Sequence, residues 1–172
     1  MKRTTLVNHI KGSYLQEQYL EAFLTQSAYI ESLLRLFADY NYFIKMQEQI
    51  EKEDKLVLEV KKRIQRFSLQ DLVVFLFQSA LIDKQLKEIL NTYKLKRNQV
   101  MHNLVVEMSS GEFEKELKEV CELGDGIIND DRFREIEDMI DGVQSSLERA
   151  PEGLPIKQID DSNVGGESSE SL

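Results

Sequence analysis

At 172 residues the chain fits one domain, or one domain with a tail, and is long enough to bury a real core. Its only prolines are Pro151 and Pro155, so the first 150 residues are free to run as long helices and a turn-rich β fold is disfavoured. A net charge of −9 argues against broad, nonspecific nucleic-acid binding, and a single cysteine, Cys121, leaves neither an internal disulfide nor a Cys/His structural metal site.

Residues 1–12 read as a polar N-terminal arm that lacks the apolar run of a signal peptide. Ser13 with Gln16 has the pattern of a capping box and predicts the start of the first helix. Leu20, Phe23, Leu24, Ile30, Leu33, Leu34, Phe37 and Ile44 then recur at helical spacing, which carries this helix to about Lys45. Met46 to Lys55 is mostly polar and reads as a turn or an exposed helical continuation. From Leu56 onward, Val57, Val60, Ile64 and Phe67 resume an apolar stripe opposite a basic face of Lys61, Lys62, Arg63 and Arg66. That face suits a solvated helix better than an RNA track.

Ser68 and Asp71 form a second cap signal, opening the run Leu72–Phe77. The run is apolar all round, which predicts a buried central helix, and it is too short to span a bilayer. Leu86, Ile89, Leu90 and Tyr93 continue amphipathically toward Lys94 and His102. Ser109–Glu112 breaks and recaps the chain; Phe113, Leu117, Val120 and Cys121 follow, with Gly124-Asp125-Gly126 as an expected break or kink. Phe133, Ile136, Met139, Ile140, Val143 and Leu147 form a last stripe. From residue 150 onward the chain reads as a disordered acidic tail, with five acids against Lys157. The expectation is therefore all-α: a bundle of about five to six helices over 13–149, in a cytoplasmic protein with no membrane partner.

One stretch carries chemistry: Lys96-Arg97-Asn98-Gln99-Val100-Met101-His102. A helix beginning near Asn98 would set Asn98 and His102 on one face, leave Arg97 free at its start, and present unpaired backbone N–H groups to a phosphate. An imidazole that removes a 2′-hydroxyl proton and a guanidinium that stabilises charge at phosphorus suffice for metal-free RNA cleavage. Lys94 and Lys96 would add substrate-binding charge. No cofactor and no metal is expected. One histidine cannot easily serve as base and acid together, so two copies each bringing His102 make better chemical sense.

The string Arg97 to His102 resembles the signature of the HEPN domain family: an arginine, four to six residues, then a histidine, often with a polar residue straight after the arginine. The resemblance is sharp over the motif and loose over the helical body. It implies a helical bundle acting as a homodimer on RNA without metal, in toxin–antitoxin or antiphage settings, with Arg97 and His102 as the catalytic pair and Asn98 as helper. A toxin subgroup carries a tyrosine two residues after the histidine, which its nucleotidyltransferase antitoxin modifies. Here that position is Leu104, so an antitoxin partner stays open rather than implied.

Plainer readings stand beside these. Asn98 is a good helix N-cap, Arg97 an ordinary surface cation, and His102 a residue bordering the Met101/Leu104/Val105 stripe. His9 reads as a surface residue and Cys121 as a small buried hydrophobe. The alternative function is a noncatalytic HEPN-like module that binds nucleotide, RNA or another protein.

Overall fold

A computed structural model describes residues 3–47, 59–60, 62–104 and 111–148. Six helices have defined bounds: α1 (Arg3–Leu15), α2 (Tyr19–Gln47), α3 (Leu69–Gln78), α4 (Lys84–Asn103), α5 (Gly111–Ile128) and α6 (Asp131–Glu148). Residues 59–60 and 62–64 are also helical, and no strand occurs among the described residues. The all-α bundle is thus present. Among the described residues no helix is long and apolar enough to cross a membrane. The acidic tail, the 46–55 stretch beyond Gln47 and the Ser109–Ser110 break lie outside the described residues.

The 29-residue α2, about 44 Å long at 1.5 Å per residue, is the spine of the bundle. It packs against α1, α3, α5 and α6, while α4 lies on α3 and α5. Its inward face is a helical stripe of Phe23, Ile30, Leu34 and Phe37, all buried. Leu24 departs from the expected stripe, being 45% exposed on the outer side of α2. The predicted central helix, α3, is instead a flank. Leu69, Leu72, Val73 and Leu76 are buried, whereas Val74, Phe75 and Phe77 are only half-buried. A short helix can be apolar all round yet sit against neighbours on one side when longer helices fill the centre.

Two further expectations are corrected. The N-terminal arm is itself a helix from Arg3, and Ser13 lies buried near its C-terminus rather than capping a start. The helix ends because Glu17 turns left-handed (φ 61°), letting the Gln18 N–H reach the Ser13 carbonyl at 2.9 Å and the Glu17 N–H reach Tyr14 O at 3.1 Å. Also, α5 runs unbroken through Gly124-Asp125-Gly126. Gly124 is there for space: a Cβ at that position would fall far inside van der Waals contact with the buried amide of Gln26, whose Nε2 donates to the Cys121 carbonyl at 3.1 Å.

The Ser68/Asp71 cap forms as read: Asp71 N–H donates to Ser68 Oγ (3.2 Å) and Ser68 N–H to Asp71 Oδ2 (3.0 Å). Asp83 caps α4, accepting from Leu86 N–H at 2.7 Å. Arg132 then ties the starts of α4 and α6 together, reaching Asp83 (3.2 Å), Gln85 (2.9 Å) and Asp130 (2.6 Å). The Leu86 N–H and then Arg132 hold Asp83 below the usual carboxylate range, and Arg132 does the same for Asp130. A carboxyl whose pKa falls on folding stabilises the fold above its unfolded value and loses that contribution as pH drops through the folded value. The denaturant midpoint should therefore fall as pH is lowered below about 4, and less steeply in Arg132→Gln; parallel curves for the two proteins would exclude this linkage.

Candidate functional site

The Arg97–His102 segment lies in the last two turns of α4, not at a helix start. Asn98 is a mid-helix residue, since Asp83 is the N-cap fifteen positions earlier. The expected anion-attracting helix N-terminus is therefore absent here; the nearby helix end carries the carbonyl, negative pole of the helix. Apolar Leu86, Leu90, Tyr93 and Val100 fix the rotation of α4 by facing the core, all buried. Every other side chain of the motif takes its direction from that rotation.

Gln99 and Asn103 turn to α5, where their amides donate to the two oxygens of Glu116 (2.8 and 2.9 Å). Lys96 turns the same way and pairs with Glu119 at 3.4 Å. Lys94 donates to Gln70 on α3. The two lysines expected to bind substrate are thus engaged with different helices, α3 and α5. Asn98 and His102, four residues apart and exposed, share the outer face of α4.

Arg97 turns toward α2. Its Nη2 pairs with Glu31 Oε2 at 3.2 Å, and its Nη1 lies 3.5 Å from Asn98 Oδ1. Five helical residues separate it from His102, which places the two side chains about 140° apart around the axis. Within one copy, Arg97 and His102 do not share a face. Asn98 stands between them in rotation and touches Arg97.

Arg97 lines a groove of about 350 Å³ between α2 and α4, together with Leu24, Ser32, Glu31, Arg35 and Met101. Glu31 is shared: its Oε1 accepts from Arg35 Nη2 at 2.8 Å while its Oε2 takes Arg97. Arg35 also donates to the backbone carbonyls of Ile64 (2.7 Å) and Phe67 (2.9 Å), so it is anchored by more than the carboxylate. Beneath the groove, Tyr93 is buried against Ser27 (hydroxyls 2.8 Å apart), and burial pushes its phenol up to about 12. A neutral hydroxyl pair therefore floors a charged groove.

Glu31 and Arg35 escaped the sequence reading. Their one local signal was the i,i+4 acid–base spacing, which is common on solvated helices. His9 is exposed, 3.2 Å from Glu21 on α2. Cys121 is buried, with a thiol pushed up to about 12 by burial, which favours its neutral form. It borders a second cleft of about 360 Å³, formed by α1, α2 and α5, that shares no residue with the groove at Arg97.

No protein-family model, no curated protein and no solved structure matches the chain. What the geometry establishes is an all-helical bundle bearing an arginine groove and an exposed Asn98/His102 face on adjoining sides of one helix.

Proposed function

We propose that the chain is a HEPN-like, metal-independent endoribonuclease whose working site is completed by a second copy, acting in the cytoplasm in a toxin–antitoxin or antiphage setting. The observation that carries this reading is the exposure of His102 on the face of Asn98, five positions on from an arginine that opens into a groove. A single copy separates the imidazole from the guanidinium by about 140°, so a phosphate reaching both needs a partner whose α4 faces the first.

In that arrangement His102 of one copy removes the 2′-hydroxyl proton. The freed 2′ oxygen bonds to phosphorus, the bond to the 5′ oxygen breaks, and solvent water protonates that leaving oxygen while the imidazolium returns its proton to solvent, so each site needs one His102 and the Arg97 of the other copy. Arg97 offsets the charge growing on the phosphoryl oxygens, and Asn98 steadies the guanidinium through its side-chain carbonyl. The products are a 2′,3′-cyclic phosphate and a 5′-hydroxyl. No electron changes hands and no metal takes part.

Total RNA incubated with the protein in EDTA is the test. Cleavage by wild type and a loss of about a hundred- to ten-thousand-fold in His102→Ala are expected, the usual worth of general acid–base help. Equal cleavage by both proteins, or none by wild type, would end the proposal.

One observation favours a second reading. The guanidinium of Arg97 is already paired with Glu31, so a noncatalytic HEPN-like module that binds RNA, nucleotide or protein without cutting is the alternative. It predicts RNA retained on the protein and left whole.

A further inference from the structure

The Arg97 groove holds more positive charge than its own carboxylate can neutralise. Two guanidiniums, Arg35 and Arg97, converge on the single Glu31, leaving one excess positive charge between helices. All three side chains are about three-quarters buried, at 22–26% exposure, so solvent screens that excess less than it would on an open surface. The Arg97 fork is half used: Nη2 has the Glu31 bond, Nη1 has a long contact to Asn98, and the buried Nε–H has no partner. Such a group is fitted for an anion with several oxygens.

The division of labour on Glu31 matters most. Arg35 and Arg97 use different oxygens, and Arg35 makes the shorter contact, 2.8 against 3.2 Å. Arg35 is also held in place by the Ile64 and Phe67 carbonyls. If an incoming oxyanion draws Arg97 away, Glu31 keeps its bond to Arg35 and is not stranded as a buried, unpaired charge. Exchange of partners on Arg97 is therefore cheap, whereas removal of Arg35 would take from Glu31 its shorter ion pair and from the Ile64 and Phe67 carbonyls their guanidinium donor.

From this geometry we infer that the groove is a seat for a phosphodiester oxyanion on Arg97, and that Glu31 is its built-in competitor, occupying the guanidinium until phosphate replaces it. The inference deepens the ribonuclease reading and rests on it for the identity of the ligand, an RNA backbone phosphate. Ser32, exposed on the α2 side of the groove, supplies a hydroxyl to the same anion. The Asn98 side chain follows Arg97 as it turns.

The test uses the full chain and two probes: inorganic phosphate, and a fully 2′-O-methylated RNA oligonucleotide that cannot be cut by its own 2′ oxygen. Binding is followed by NMR through the Arg97 Nε–H and the backbone amides of α2 and α4, which also report folding. Glu31→Gln should bind both probes about tenfold more tightly, because a negative charge next to the seat is gone while the hydrogen-bonding shape remains. Arg97→Gln should lose the Arg97-centred binding. Phosphate affinity unchanged in Glu31→Gln, or retained in Arg97→Gln, would overturn the seat. Arg97-dependent binding with no RNA cut by wild type would leave the seat standing and remove the ribonuclease. Cleavage that needs His102 but with no tightening in Glu31→Gln would do the reverse.

Discussion

A mixture of Arg97→Ala and His102→Ala proteins, each inactive alone, is expected to recover about a quarter of wild-type RNA cleavage, since random pairing makes half of the dimers mixed and each mixed dimer keeps one of two sites. The reason is rotational. Buried Val100, Tyr93 and Leu90 set the azimuth of α4, and that azimuth points Arg97 at α2 and His102 outward. No side-chain rotamer closes an angle of about 140° while Arg97 stays in its groove. A productive pair must then join Arg97 of one chain to His102 of the other. Recovery in the mixture supports pairing between chains. If the mixture stays as inactive as its components while wild type cuts, the site is built within one chain and the rotation of α4 must change on substrate binding.

The second large effect is on stability. Gly124→Ala is expected to cost about 2–4 kcal/mol, read from the denaturant midpoint, combining overpacking with damage to a buried hydrogen bond. The single methyl group meets the Gln26 side chain, which is buried and anchored to the Cys121 carbonyl. Gln26 also borders the cleft between α1, α2 and α5, so the clash is relieved by turning the amide toward that cleft, at the cost of its bond to the Cys121 carbonyl. A double-mutant cycle separates this cause from helix propensity. In a Gln26→Ala background the same methyl should cost less than about 1 kcal/mol, or even stabilise α5, because alanine is the better helix former. The same cost in both backgrounds would assign the effect to something other than Gln26.

Much of the helical framework was legible in the sequence. The absence of proline before residue 151, the stripe Phe23–Phe37 and the Ser68/Asp71 box are local signals, and each corresponds to an observed element: long α2, its buried face and the start of α3. The errors were also local in origin. Ser13 with Gln16 fits a capping box, but the same short polar stretch serves as a helix end once Glu17 turns left-handed. Gly124-Asp125-Gly126 has the composition of a break, yet its first glycine is small for the sake of a glutamine 98 positions away. Asn98 looked like a cap because its residue type suits one, although the Leu86–Tyr93 stripe belongs to the same helix and carries it through that position.

What the sequence by itself determined was the class of the fold, most of the inward stripes, and a short segment rich in the side chains that handle phosphate. These depend on periodicity and on neighbours within a turn or two, which the chain states directly. What only the tertiary structure decided was direction: Arg97 into a groove, His102 out to solvent, Lys94 and Lys96 toward opposite neighbours. The pairing of Arg97 with Glu31 spans 66 positions and depends on how α4 is rotated against α2. That rotation is chosen by the burial of apolar area across the whole bundle, a collective quantity that no six-residue motif contains.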